Sequence, residues 1–224
     1  MAVYTKIDKK DISLINSQFK IEKIIKFSGI KKGIENSNYL LKTKNRKYIL
    51  TIFEKRVSTK EIPFFMKLME ALSKSNVNCP KPIKNKNRNF LIKLKNKTAC
   101  IVSFLDGKDK TTLNLKNCFD VGKNIAEMHK ITRTLKISRK NSMGIKKLNP
   151  LMKSIKFKNN KFSHLEKFLR NNLKEISKKW PSKLPNGIIH GDLFIDNIFF
   201  ISTNFFYFTT IIYNCGPTAI TRVC

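Results

Sequence analysis

The sequence predicts an α+β chain of two lobes, the first an antiparallel sheet with a helix, the second mostly helical. Three observations carry this reading. Short β-prone runs separated by polar turns fill much of the first hundred residues. One strong helical period interrupts them, and beyond Gly107 the apolar residues recur at helical spacing instead of alternating. A chain of 224 residues that is 41% hydrophobic can bury one sizeable core, or two small ones sharing a cleft.

In chain order, Ile21 to Ile30, Tyr39 to Thr43 and Lys47 to Phe53 read as strands of a meander, with Lys44-Asn45-Arg46 as a polar turn. Ser58-Thr59-Lys60-Glu61 has the spacing of a capping box, and Ile62, Phe65, Leu68, Met69 and Leu72 follow at helical period. Pro63 belongs in the first turn of that helix, where its missing N–H costs little. After Asn78-Cys79-Pro80-Lys81-Pro82, the stretches Asn89 to Leu94 and Thr98 to Phe104 form a further strand pair, and Asp106-Gly107 closes the unit. Two lobes are therefore expected, 1–106 and 107–224. In the second, Val121, Ile125 and Met128, with Ala126 and His129 beside them, form one apolar helix face. Phe162, Leu165, Phe168, Leu169, Leu173 and Ile176 form another, and the basic stretch from Ser138 to Asn160 reads as an irregular surface connection.

Forty-six Lys and Arg against 15 Asp and Glu give a net charge of +31. The lysines are spread from Lys6 to Lys183 and alternate with Ile, Asn and Phe, without aromatic platforms interleaved with Arg. No dedicated nucleic-acid site is expected. The five cysteines form no C-x-x-C pair and leave an odd one, which argues against a disulfide framework or zinc site. The N-terminus lacks an apolar segment of signal-peptide length, so a cytoplasmic location is expected. Asn197 to Thr221 carries no charge, but its Ser, Thr and Asn residues favour buried strands over a membrane tail, and no membrane partner is expected.

The residues that carry chemistry lie in Ile189-His-Gly-Asp-Leu-Phe-Ile-Asp-Asn197. Phosphoryl transfer needs a carboxylate to take the proton of the attacking hydroxyl, and oxygen ligands to hold Mg²⁺ on the nucleotide phosphates. His190-x-Asp192 followed by Asn197 has the kinase spacing H-x-D-x-x-x-x-N. Asp192 is then the candidate base, Asn197 the candidate metal ligand, and His190 a brace behind the loop. Asp196 is either a second ligand or an exposed turn acid.

His190-Gly191-Asp192-Leu193 with Asn197 resembles the aminoglycoside and choline kinase superfamily, and the surrounding text resembles the kinase-like homoserine kinases within it. The strings that match are Met1-Ala-Val-Tyr-Thr5, Gly33-Ile-Glu-Asn-Ser-Asn-Tyr39, Tyr48-Ile-Leu-Thr-Ile-Phe-Glu-Lys-Arg56, Pro63-Phe-Phe65 and Leu68-Met-Glu70. Cys79-Pro80-x-Pro82, Ser103-Phe-Leu-Asp-Gly107, and Val121-Gly122 with His129 extend the match, which runs from Met1 to about Phe200.

The resemblance implies a two-lobed protein-kinase-like fold. It also implies ATP and Mg²⁺ as cofactors and L-homoserine as the small-molecule substrate, phosphorylated on its side-chain hydroxyl in threonine synthesis. It sets Gly29 and Gly33 with Asn36, Ser37 and Asn38 in the turn whose backbone N–H groups would cover the ATP phosphates. The family's strand lysine falls at Thr51; Lys55, four residues on and on the same strand face, is the alternative, paired with Glu70. An exposed Lys55 and a surface Glu70 remain the plainer reading. Ser103, Phe104 and Leu105 match the segment between the lobes that would read adenine, or else form an ordinary core strand. His129 is expected in a satisfied core or interface role.

After about Phe200 the match breaks. No Asp or Glu follows Asp196, and Asn204-Phe205-Phe206-Tyr207-Phe208 stands where the resemblance implies an acidic strand with a second metal ligand. A truncated or frameshifted, incomplete second lobe is the expectation, with activity impaired and apolar helix faces bearing Phe162 and Phe168 left exposed. A choline- or aminoglycoside-type kinase, an inactive kinase and a basic nucleic-acid binder are the alternatives.

Overall fold

The computed structural model describes residues 3–31, 35–54, 58–108, 110–139, 145–155, 157, 161–180, 187–191, 193–202 and 205–208. A helix comes first. Asp8 caps α1 (Lys9–Gln18), accepting from the Lys10 and Asp11 N–H groups while the Asp11 carboxylate accepts from Asp8 N–H. That capped turn places Ile12, Ile15 and Phe19 on one face, all buried. The expectation of strands alone before α2 is corrected here; the Asp8-x-x-Asp11 box and the three- and four-residue spacing of Ile12, Ile15 and Phe19 are its sequence signal.

Five antiparallel strands follow, β1 (Lys26–Gly29), β2 (Ser37–Lys42), β3 (Lys47–Ile52), β4 (Leu91–Leu94) and β5 (Lys97–Ser103), in the order β1-β2-β3-β5-β4. Lys95 and Asn96, both at positive φ, make the two-residue turn between β4 and β5, and the Lys95 ammonium bonds Asp8 at 2.9 Å and Asp11 at 3.2 Å. Because strand side chains alternate, each sheet face has its own core. Tyr39, Leu41, Tyr48, Leu50, Ile52 and Ile101 join Ile12, Ile15 and Phe19 of the α1 segment. Cys100, Val102 and Phe53, with Ile49 packed against them, join Ile62, Phe65, Met66 and Met69 of α2 (Ile62–Lys74).

The apolar face anticipated for α2 is buried throughout. Its start differs from expectation. Glu61 is the N-cap, no side chain caps the helix, and the Glu61 N–H donates to the Ser58 carbonyl, so Ser58 works through its backbone. Leu68 and Leu72, on the far side of α2, pack with Val121 and Met128 of α3 (Leu115–Thr134), with Ile188, and with Ile198 and Phe200 of β6 (Ile198–Ser202). One helix thus serves two cores. Arg139, ten per cent exposed, reinforces the junction: its guanidinium bonds Glu61 at 2.8 Å and lies 5.2 Å from the Phe65 ring centroid.

The stretch 138–160, expected to be irregular, contains α4 (Ile145–Ser154), another correction; its apolar period is diluted by lysines and interrupted by Pro150. The second anticipated face lies on α5 (Glu166–Lys179) and the turn before it, and Phe162, Phe168 and Ile176 are exposed. β6 pairs with β7 (Phe205–Phe208), in keeping with the strands expected there. No helix among the described residues is long and apolar enough to cross a membrane.

Candidate active site

Strand geometry positions the first group of candidates. β1 and β2 stay paired up to Gly29, opposite Tyr39, and the Ile30 N–H donates to the Asn38 carbonyl at 2.8 Å. Gly33 lies outside the described residues. Asn36 is buried, its side-chain oxygen accepting from the Glu54 N–H at 3.2 Å. Asn38 accepts from the Thr51 hydroxyl at 2.8 Å, so these two side chains fasten the start of β2 to the end of β3. Ser37, between them, points to the opposite face: its hydroxyl accepts from the Tyr4 and Thr5 N–H groups at 2.8 and 2.9 Å and donates to Glu54 at 2.7 Å. Alternation along the strand sends Ser37 away from the side on which Asn38 and Thr51 meet.

Thr51 is buried and its hydroxyl is spent on Asn38, so the position matched to a strand lysine holds a short polar side chain. Lys55 lies outside the described residues. Glu70 meets Lys84 at 2.7 Å and Lys74 at 3.2 Å, and the hydrogen bond from Lys84 holds its carboxyl below the usual carboxylate range. Among the described residues, Glu70 is an outward ion-pair partner on α2.

The end of β5 leads into Ser103-Phe104-Leu105. The Ser103 N–H donates to the Lys81 carbonyl at 2.8 Å and its hydroxyl accepts from the Lys81 N–H at 2.9 Å. The Phe104 N–H donates to the Lys47 carbonyl at 3.2 Å, and the Lys47 ammonium lies 5.0 Å from the Phe104 ring centroid. The Leu105 backbone makes no hydrogen bond among the described residues. Of these three N–H groups, only that of Leu105 has no acceptor among the described residues.

The second group hangs from α3 and β6. The buried Thr132 hydroxyl lies 3.1 Å from the His129 carbonyl oxygen of its own helix and 3.4 Å from that of Ile188, its one proton shared between α3 and the chain entering the loop. His190 is buried, three per cent exposed. Gly191 has φ 76°, a left-handed conformation that costs a side-chain-bearing residue about 1–2 kcal/mol. Asp192 lies outside the described residues, as does the Asp196 side chain. Leu193 packs on the α3 core, and Ile195–Asn197 forms a 3₁₀ turn in which the Asn197 N–H donates to the Phe194 carbonyl at 2.9 Å.

A backbone bridge ties the two groups together. Lys108 and Phe200 exchange N–H···O bonds of 3.0 and 2.8 Å, and a Cβ on Gly107 would sit 3.1 Å from the Phe199 Cβ and 3.3 Å from the Phe200 carbonyl oxygen. Leu105 and Asn197 each lie three residues from this bridge, within about 10 Å of it along an extended chain. Sequence reasoning did not find the bridge; Gly107 was its one visible sign.

Nor did it find Glu54. Its carboxylate takes the Thr5 and Ser37 hydroxyls at 2.7 Å each and the Lys97 ammonium. Burial pushes the carboxyl up, but these donors outweigh it and leave it below the usual carboxylate range. Stability from Glu54 is therefore present above the ordinary value of 4.5 and is lost as the pH falls below it. In denaturant melts, wild type should exceed Glu54→Gln most above that pH and the gap should close in acid; a gap independent of pH would contradict the assignment. His129 also departs from expectation. It is half-buried, its Nε2 has no hydrogen-bond partner among the described residues, and burial lowers its pKa. Cys79 and Cys100 are the core residues expected, their thiols pushed up to about 12 by burial.

This arrangement of an antiparallel sheet, a linking segment and a His-Gly loop has counterparts. The model of the phosphotransferase enzyme family matches residues 26–205, and the chain belongs to that family. A homoserine kinase of Parvibaculum lavamentivorans is 36% identical over 202 residues, 90% of this chain and 63% of its own length. One from Rhodopseudomonas palustris is 37% identical over 203 residues, 90% of this chain and 62% of its own. The chain thus spans under two thirds of the length of these relatives. Among solved structures, amicoumacin kinase hAmiN in complex with AMP-PNP, Ca²⁺ and Ami superposes with a TM-score of 0.73 at 15% identity, over 94% of this chain and 65% of that one. The fold is the α+β kinase-like fold that the sequence predicts.

Proposed function

We propose that the protein is an ATP-dependent kinase that phosphorylates the side-chain hydroxyl of L-homoserine, a step in threonine synthesis, in the cytoplasm. The observation that carries this reading is identity of 36–37% to homoserine kinases over 90% of the chain, through the loop that bears Asp192 and Asn197. The lobe boundary in this reading falls at Asp106-Gly107, beside the Lys108–Phe200 bridge.

The Leu105 N–H reads the adenine edge, with Phe104 and Leu105 lining that pocket and Ser103 holding the segment to Lys81. Gly33, Asn36 and Asn38 belong to the connection over the phosphates, with Lys55 as the cation reaching them. Asp192 accepts the proton of the homoserine hydroxyl as its oxygen bonds to the γ-phosphorus and the bond to the ADP oxygen breaks. His190, buried behind the loop, keeps Asp192 in place. Among the described residues no three His, Cys, Asp or Glu side chains gather as a metal cage. The oxygen donor of Asn197 suits Mg²⁺, which takes few protein ligands and keeps phosphate oxygens and water. Bound there, the ion would supply charge neutralisation on the phosphates.

The test offers ATP with L-homoserine, choline or an aminoglycoside to the purified 224-residue chain and to a relative of full length. Phosphorylation of homoserine in preference to the others is the expected result. Preference for another alcohol by the relative would overturn the substrate, and turnover by the relative alone would restrict the activity to the longer chain.

A further inference from the structure

The residues before α1 have no part in the proposed chemistry, yet they are bound to it closely. A Cβ on Gly29, the last residue of β1, would lie 2.9 Å from Val3 Cγ2. The Tyr4 and Thr5 N–H groups both donate to the Ser37 hydroxyl, at 2.8 and 2.9 Å. The Thr5 carbonyl accepts from the Tyr39 hydroxyl at 2.7 Å. Thr5 also donates its hydroxyl to Glu54 at 2.7 Å and accepts from the Lys97 ammonium at 2.7 Å. One short segment therefore holds the end of β1, the start of β2, the end of β3 and the start of β5.

Ser37 is the centre of this cluster. It is wholly buried, and a hydroxyl has one donor and two acceptor positions. All three are used: two N–H groups arrive from residues 4 and 5, and the proton goes to Glu54. Nothing is left for a phosphate. The Glu54 N–H meanwhile donates to Asn36, whose neighbour Asn38 bonds Thr51 on the other face. Gripping Ser37 from behind sets where the strand emerges, and hence where Asn36 and Asn38 stand.

We propose that residues 3–5 form a strap that positions the β1–β2 connection over the nucleotide, acting through Ser37 and Glu54 as positioning residues. This rests on the reading that the connection covers ATP. Side-chain contact with ATP is assigned to neither residue. The strap works by narrowing the range of positions open to Gly29 and to Asn36 through Asn38, so that less ordering is left for binding to impose.

The experiment compares the 224-residue chain with its Ser37→Ala and Thr5→Val variants by calorimetric titration with Mg-ATP and by amide hydrogen exchange. Ile15→Val, which thins the same buried core and removes none of the strap's hydrogen bonds, is the control. Ser37→Ala, which removes three hydrogen bonds, and Thr5→Val, which removes two, are each expected to weaken ATP binding at least about fivefold and to speed exchange at 27–31 and 35–40. Ile15→Val should leave the ATP affinity unchanged. Equal loss of affinity in the control and in Ser37→Ala would reduce the strap to a general stabiliser and overturn the proposal, as would exchange at those residues that the variants leave unaltered. Should wild type take up no ATP, the nucleotide reading falls by itself, and the strap's hold on the two strand ends is decided by the exchange data.

Discussion

Asp192→Asn is expected to lower phosphoryl transfer by a factor of about 10² to 10⁴, the usual contribution of a positioned general base. Asn keeps the shape and hydrogen-bonding reach of Asp but cannot take up the proton of the attacking hydroxyl. ATP affinity should change little, because the adenine and phosphate contacts proposed here lie on the sheet and the linking segment. The measurement is steady-state transfer to homoserine beside nucleotide titration, in whichever of the chain and its longer relatives turns over. Turnover within about threefold of wild type would remove Asp192 from the role of base; lost ATP binding would give it a structural role instead.

Leu68→Ala carries the largest expected effect on stability. Leu68 is fully buried on the side of α2 that packs on Val121, Met128, Ile188, Ile198 and Phe200. Truncation removes three carbons from a site enclosed by α2, α3, β6 and the chain entering the His190 loop. A cost of about 2–5 kcal/mol is expected, toward the upper part of that range where the cavity cannot collapse. Urea denaturation should show the midpoint falling by the corresponding amount. Lys67→Ala, exposed one residue earlier, should shift it by less than about 0.5 kcal/mol. Equal effects would mean that the junction between the two cores contributes little to folding.

The sequence by itself determined the α+β class, the meander and the buried face of α2, and it singled out the stretch from His190 to Asn197 as the candidate site. Each rests on a period or spacing within about ten to twenty residues, which is the range over which strand alternation, helical repeat and turn chemistry act. The same logic contained α1, since Asp8, Asp11, Ile12, Ile15 and Phe19 form a local pattern; it was obscured by the lysines around it. α4 was hidden in the same way, its apolar residues outnumbered in a basic stretch.

Other features had no local signal at all. Which side of β2 Ser37 faces, and that its hydroxyl is filled by residues 32 and 33 positions earlier, depends on where the N-terminal segment lies after folding. The capture of Glu70 by Lys84, the Arg139–Glu61 pair and the Lys108–Phe200 bridge join residues 14, 78 and 92 positions apart. Hydrogen bonds and ion pairs act over about 3 Å and are indifferent to sequence separation, so only the tertiary structure decides which partners meet.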